Sequence, residues 1–429
     1  MAMPFLTKVL TGTARSYFAG NGSKFIFKPV SAPVSQEMES LNLYIHIPFC
    51  RNKCPYCPYN KIEYDKNLVA PYLAAMLSEL RLYREAFGRF KISSIYIGGG
   101  TPTLLIDEIK AVIDKIKGTF ILSGDICLET NPNDITGALV KKIKDAGIQL
   151  VSIGIQSFHD KNLCFIGRDY KAAIIDEKMR ILVNAGFKSV NMDMIFALPG
   201  QDIGNLKYDL ERSVNTGANQ ITTYPLFTFP YSTIGRYLKL KNVRMPGLKK
   251  RREMYYYIND YLNGKGFARV SVWGFKKGDA PRYSSVTRDN YVGLGAGAGS
   301  HMPDGFYLNT FSVKDYIDKC SRDEFPSALC MKFNEAMQSY FWLYWRFYDT
   351  CISKTELKRR FSPKDRGKVD GLMTLFKTLG LTEEDDEVIR FNLRGAFWIH
   401  LMQNYFSLNY INRIWAVAMK EPFPDKIAL

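Results

Sequence analysis

No run of about 18 uncharged apolar residues, the length a helix needs to cross a bilayer, occurs in this 429-residue chain, so nothing in it reads as a membrane span. The opening stretch MAMPFLTKVLTGTARSYF lacks a sustained apolar core and a small-residue cleavage site, which argues against a secretory leader. Histidine is scarce, at four residues, and no second cysteine pair exists to complete a four-ligand zinc site. Nor do the eight cysteines form the dense, even framework of a small secreted domain. Together these absences place the chain in the cytoplasm, as an expectation.

The chain is otherwise that of an ordinary globular protein with ample core, 46% hydrophobic and 23% charged, and its aromatic content of 14% is high. The formal charge is +16, and RYLKLKNVRMPGLKKRR (236–252) alone carries eight basic residues and no acidic one. A solvated face is the usual fate of such a run, and an anionic membrane surface or acidic substrate the functional alternative. No nucleic-acid-binding motif accompanies it, so no nucleic acid partner is expected.

The segment YIHIPFCRNKCPYCPYN (44–60) spaces Cys50, Cys54 and Cys57 as C-x3-C-x2-C. The other five cysteines, Cys127, Cys164, Cys320, Cys330 and Cys351, stand singly in apolar surroundings and read as buried thiols. Pro55 and Pro58 bar a helix through the loop. Three thiolates there suit a [4Fe–4S] cluster whose fourth iron stays open to a substrate or cofactor. Zinc, with His46 the nearest histidine, and a disulfide set are the weaker alternatives.

From residue 41, apolar strand candidates (LYIHI, SSIYIG, DICLET, QLVSIGI, SVNMDMIF, QITTYPL) alternate with helical stretches, several of them ending in glycine. Six such alternations predict an α/β fold, a complete or partial parallel (β/α)6 barrel with functional groups at the strand C-terminal ends. The expected division is an N-terminal arm (1–40), a barrel domain (41–325) and a mainly helical, winged-helix-like C-terminal domain (326–429) closed by an amphipathic tail helix.

Six further blocks follow the cysteine loop in order: IYIGGGTPTLL (95–105), LETNPND (128–134), SIGIQSFHD (152–160), FIGRDY (165–170), NMDMIFALPGQ (191–201) and YVGLGAGAGSH (291–301). With the cysteines they resemble the radical S-adenosylmethionine (SAM) superfamily, in the branch of oxygen-independent coproporphyrinogen oxidase. That branch also holds heme-chaperone-like proteins, anaerobic heme-degrading methyltransferases and other two-SAM (class C) methyltransferases. The resemblance spans about residues 40 to 310. It implies that Cys50, Cys54 and Cys57 hold the cluster, and that SAM binds the open iron through its amino and carboxylate groups. It sets Tyr44 and His46 against the cluster and SAM as catalytic candidates, with strand packing the plain alternative for both. It puts Tyr56 beside the adenine, and Gly99, Gly100 and Thr101 against the methionine moiety. Glu129, Gln156, Arg168 and Asp193 match polar positions around SAM; a salt bridge is the alternative for Arg168 and Asp193. Gly295, Gly297 and Ser300 fall in the region that shapes a second SAM and substrate site. A low-potential electron donor of the flavodoxin or ferredoxin type is the implied redox partner.

Two departures bear on the reaction. Tyr59 stands where coproporphyrinogen oxidases of this kind carry a fourth cysteine, and Tyr170 where they often show histidine. The tail GAFWIHLMQNYFSLNYINRIWAVAMKEPFP (395–424) is aromatic and nearly uncharged, with His400, Gln403, Asn404 and Ser407 along one helical side. It reads either as a helix packed over the barrel or as an interfacial element. With the 236–252 run it leads to the expectation of a hydrophobic aromatic small-molecule substrate and peripheral membrane contact. The favoured reading is a radical SAM C-methyltransferase using two SAM molecules on a quinone such as menaquinone. The alternatives are a tetrapyrrole-acting radical SAM enzyme and a heme-trafficking chaperone.

Overall fold

Each of the six strand candidates pairs in parallel with the next one in the chain. In the computed structural model β1 (Ser40–Ile47), β2 (Lys91–Gly99), β3 (Ile126–Thr130), β4 (Leu150–Gln156), β5 (Ser189–Phe196) and β6 (Gln220–Pro225) are neighbours in sequence order. Helices α1 (Lys66–Phe87), α2 (Ile106–Thr119), α3 (Gly137–Asp145), α4 (Ile175–Asn184) and α5 (Ile203–Asn215) make the crossovers, and α6 (Leu248–Gly264) follows β6. The structure describes residues 25–34, 38–229, 231–241, 243–283 and 290–429. Most of the expected arm (1–24 and 35–37) and residues 284–289, just before the late glycine-rich block, lie outside them.

Successive neighbours make a singly wound sheet, the partial-barrel topology the alternation predicts. Strand β7 (Tyr291–Leu294) adds beside β1 in parallel, and the sheet then continues antiparallel through Gly299–Met302, Gly305–Asn309 and Ser327–Lys332. At the other side Gly274–Lys277 and Phe267–Arg269 extend β6, so among the described residues the sheet stays open. Its interior is dry: Leu41, Leu43, Ile45, Ile47, Ile92, Ile95 and Ile97 are each 0–1% exposed. Helix α1 covers them with Tyr72, Met76, Leu80 and Tyr83 on one face at 3.6-residue spacing. Burying each such side chain contributes about 1.5–3 kcal/mol.

Two boundaries need correction. The division at residue 325 cuts the sheet, because Ser327–Lys332 pairs with Gly305–Asn309. Nor is the whole arm detached, since Ile26–Pro29 pairs with Ser327–Lys332 and with Ile427–Ala428 near the chain's end. Antiparallel strands this short carry little periodic signal, and this set was hidden for that reason. Beyond it, α7 (Glu335–Asp349), the helices Lys354–Arg360 and Pro363–Thr378, and a three-stranded sheet of Cys351–Ser353, Thr382–Glu384 and Val388–Phe391 make the winged-helix-like region. The tail is α8 (Leu393–Phe406), a π-helical turn at Ser407–Ile411 and the helix Asn412–Ala418.

One buried polar cluster ties α1 to the β7 end of the sheet. Glu79 accepts from Gly295 N (2.9 Å), Asn309 Nδ2 (2.7 Å) and Tyr316 OH (2.7 Å), while Tyr72 OH donates to His46 O (2.8 Å) and accepts from Ala296 N (3.0 Å). Tyr72→Phe leaves the Ala296 N–H buried without an acceptor and should cost about 1–3 kcal/mol. The expected result is a lower urea midpoint with an unchanged m-value; an unchanged midpoint would show that the cluster does not tie the two elements.

Candidate functional site

The cysteine loop is clamped at its base by backbone bonds from both sides. Ile62 N donates to Pro48 O (2.8 Å) and Tyr64 N to Cys50 O (2.9 Å), while from the glycine-rich turn Gly100 N donates to Ile47 O (2.7 Å) and Thr101 N to Phe49 O (2.8 Å). Its middle is pinned by Ile234 N to Pro55 O (3.0 Å), Tyr231 OH to Pro58 O (2.9 Å) and Lys61 Nζ to Cys57 O (2.6 Å). Glycine is required at 100, where a Cβ would sit 2.6 Å from Phe49 O and 3.0 Å from Cys50 Sγ. Cys50 is buried, Cys54 and Cys57 half-buried. Burial pushes the Cys50 thiol up to about 11 and raises Cys54 as well.

Around the thiols the strand ends deliver polar groups into one cavity of about 330 Å³. Glu129, at the end of β3, accepts from Tyr96 OH and from Gly99 N (3.1 Å). Asp193, in β5, accepts from Ser152 Oγ (2.9 Å) and Asn191 Nδ2 (3.0 Å). Neither carboxylate has a cation paired to it among the described residues, and burial pushes Glu129 up to about 7 and Asp193 to about 6. Gln156 closes β4 with a left-handed backbone (φ 71°) and its Oε1 accepts from Tyr224 OH (2.9 Å). A non-glycine residue in that region is strained, and such strain gathers at functional sites. Arg168 donates from Nη2 to Tyr56 OH (2.9 Å), and its buried Nε has no partner. The Arg168–Asp193 salt bridge weighed as an alternative is absent among the described residues.

The structure brings together Cys50, Cys54, Cys57, Tyr56, Gly99, Gly100, Thr101, Glu129, Gln156, Arg168 and Asp193 on this cavity. It does not bring the rest. Tyr44 and His46 lie behind the glycine-rich turn: His46 Nε2 donates to Asn60 O (2.8 Å), and its Nδ1 accepts from Tyr44 OH (2.7 Å). Burial pushes the imidazole down to about 4, and a Cβ on Gly99 would stand 2.7 Å from His46 Cε1, so the pair props the turn. Gly295 packs on His46 O and Tyr72 OH, Gly297 on Asn60, and Ser300 Oγ accepts from Gly293 N (2.9 Å). Glycine is needed at 295 and 297, where the backbone is left-handed at φ 108° and 77°.

Sequence reasoning missed most of the outer wall. Tyr224, Phe227, Trp273, Tyr344, Trp345 and Tyr348 line it, with Gln403, Ser407 and Ile411 from the tail. Trp273 Nε1 donates to His400 Nδ1 (2.9 Å), and His400 lies parallel to Tyr255 at 5.8 Å. Tyr59, in the fourth-cysteine position, is half exposed at the cavity and packs on Trp415 (6.2 Å). In α8 the apolar Phe397, Ile399 and Leu401 are buried, while further along the tail Met419 and Phe423 are exposed. No described helix is long and apolar enough to cross a membrane.

The donor set fits an iron–sulfur cluster. Three thiols share one wall, yet no three His, Cys, Asp or Glu side chains among the described residues converge as one bound ion requires. Burial opposes ionisation of Cys50 and Cys54, a penalty that cluster charge reverses. The glycine at 100 leaves the space beside Cys50 that a side chain would take.

A model of the radical SAM superfamily matches residues 44–212. The heme chaperone HemW of Bacillus subtilis is 30% identical over 290 residues, 66% of this chain and 76% of the relative. Anaerobilin synthase of Escherichia coli is 23% identical over 394 residues, 89% of this chain and 87% of the relative. The solved structure of coproporphyrinogen III oxidase from Escherichia coli, a radical SAM enzyme, matches with a TM-score of 0.72 at 19% identity, over 86% of this chain and 90% of that one.

Anaerobic reconstitution should load about four irons per chain. Cys50→Ala, Cys54→Ala and Cys57→Ala should each lose most of the bound iron, and Gly100→Ala should lower it by crowding Cys50. Cys164→Ala, at an exposed thiol, should keep it. Iron and sulfide analysis decides; full loading of Cys54→Ala contradicts the assignment.

Proposed function

The chain belongs to the radical SAM superfamily, in its oxygen-independent coproporphyrinogen oxidase-like branch, and on that premise we propose that it binds SAM beside a [4Fe–4S] cluster and acts on a tetrapyrrole. The observation that carries this reading is a single cavity with two unlike ends. The inner end holds three thiols, a glycine-rich turn and two half-buried carboxylates; the outer end is a wall of aromatic rings. Such rings suit the face of a flat conjugated macrocycle.

When bound, the reduced cluster supplies the electron that splits SAM to methionine and a 5′-deoxyadenosyl radical. The residues of this chain hold and shield. Cys50, Cys54 and Cys57 ligate, and the backbone at Gly99 and Gly100 lets the methionine moiety approach closely. Glu129 and Asp193, lacking protein cations, attract SAM's positive charge, and the Tyr56–Arg168 pair flanks the adenine. The aromatic wall and the tail exclude water from the reacting groups.

The quinone expected from the tail and the basic run gives way to a tetrapyrrole. The names of the relatives concern heme, anaerobilin and coproporphyrinogen, and Phe397, Ile399 and Leu401 of α8 are buried in the protein. Methyl transfer drawing on a second SAM is the finer form of the reading. A heme-carrying role is the second reading, favoured by the 30% identity to a heme chaperone.

Incubation of the reconstituted protein with SAM, dithionite and hemin decides among them. Enzymatic action predicts 5′-deoxyadenosine formed in step with hemin loss, with S-adenosylhomocysteine alongside if a methyl group is transferred. Bound hemin recovered unchanged supports the carrier, and indifference to hemin contradicts both.

The carboxylates give a pH test. Only their ionised forms attract SAM, and burial keeps Asp193 protonated up to about 6 and Glu129 up to about 7. SAM affinity should therefore rise as pH climbs through that range, and Glu129→Gln should move the rise to lower pH. A titration of SAM binding that is flat with pH contradicts the placement.

A further inference from the structure

The tail carries polar side chains that the fold buries and leaves unmet. His400 Nε2, both amide atoms of Gln403 and Asn404 Oδ1 find no hydrogen-bond partner among the described residues. Gln403 is 5% exposed and lines the cavity. Facing the same cavity from α7, which packs beside α8, Trp345 has a buried Nε1 that is likewise unpartnered. Each unmet buried group costs stability, a burden the fold carries at one wall of the site.

Two further observations point to a ligand. The tail widens into the π-helical turn Ser407–Ile411 four residues after Gln403, and both ends of that turn line the cavity. Turns of this kind inside α-helices recur at functional sites. Other polar side chains of the outer wall are already committed: Gln220 bonds the backbone of Tyr283 at 2.7 and 2.8 Å, and Arg282 pairs with Asp349 at 2.7 Å. Free donors are left on Gln403 and Trp345.

We propose that Gln403 and Trp345 form the subsite that selects substrate, donating from Nε2 and Nε1 to a carboxylate or carbonyl oxygen on the rim of the macrocycle while the aromatic wall covers its face. The proposal rests on the tetrapyrrole reading and deepens it. It makes the tail a specificity element, and explains why its polar stripe points inward.

The test compares two probes by absorbance titration of the reconstituted full chain: hemin, whose rim carries carboxylates, and iron(III) etioporphyrin, whose rim carries only alkyl groups. Wild type should bind hemin more tightly. Gln403→Leu and Trp345→Phe should each weaken hemin by about tenfold, the equivalent of about 1.4 kcal/mol, and leave etioporphyrin affinity unchanged or improved. Gln403→Leu should also raise the melting temperature without ligand, because it removes an unmet amide; a structural glutamine would lower it. Should Gln403→Leu not fold, Trp345→Phe, which removes the Nε1 donor and keeps an aromatic ring in the wall, decides. Equal affinity of wild type for both probes, or unchanged hemin binding in the variants, overturns the subsite alone. Failure of wild type to bind either probe overturns the tetrapyrrole reading, and the subsite with it.

Discussion

Charge partly withdrawn from water without an ion-pair partner is the constraint on which this molecule turns. On β3 and β5, Glu129 and Asp193 are half-buried with hydroxyl, amide and backbone partners but no paired cation among the described residues, and three thiols stand beside them, of which burial raises Cys50 and Cys54. Alone, such groups destabilise a fold. Their retention makes sense where ligands bring the missing charge: iron to the thiols, and a cationic cofactor to the carboxylates.

The sheet makes that concentration of polar groups tolerable. Continuous apolar strands and the covering face of α1 supply a dry core around the site, and the cavity reaches along β4, β5 and β6 to Ser152, Asn191 and Gln220. Apart from the short pairing of Phe49–Cys50 with Ile62–Glu63, the cysteine loop has no regular structure to fix it. It is positioned by backbone bonds to the glycine-rich turn and to residues 62 and 64, and by contacts from residues 231 and 234 after β6. A thiol's position thus depends on segments far away in the chain, which couples the cluster site to completion of the sheet.

The inner site was legible in the sequence because its residues sit in local signals: cysteines between prolines, glycines after a strand, a carboxylate ending an apolar run. What those signals could not reveal was direction. His46 and Tyr44 stand beside the cysteines in the sequence, and in the fold they bond each other and Asn60 O beneath the glycine-rich turn. Gly295, Gly297 and Ser300 look like a cofactor loop, and instead allow close packing on α1 and Asn60. The aromatic wall was illegible for the opposite reason: its members come from β6, the 273 region, α7 and the tail, and only tertiary folding unites them. Even there the polar stripe 400–407 was visible, and it is the inward face that meets the cavity.

The account's central claim is that SAM binds an open iron of a cluster held by Cys50, Cys54 and Cys57. Electron–nuclear double resonance on the reduced, reconstituted protein tests it most directly, using SAM labelled with 15N at the amino group and 17O at the carboxylate. The account predicts hyperfine coupling from both labels to the cluster, because those groups occupy the iron that three thiolates leave free. A spectrum unchanged by labelled SAM, or a closed cluster with a fourth protein ligand, would contradict it.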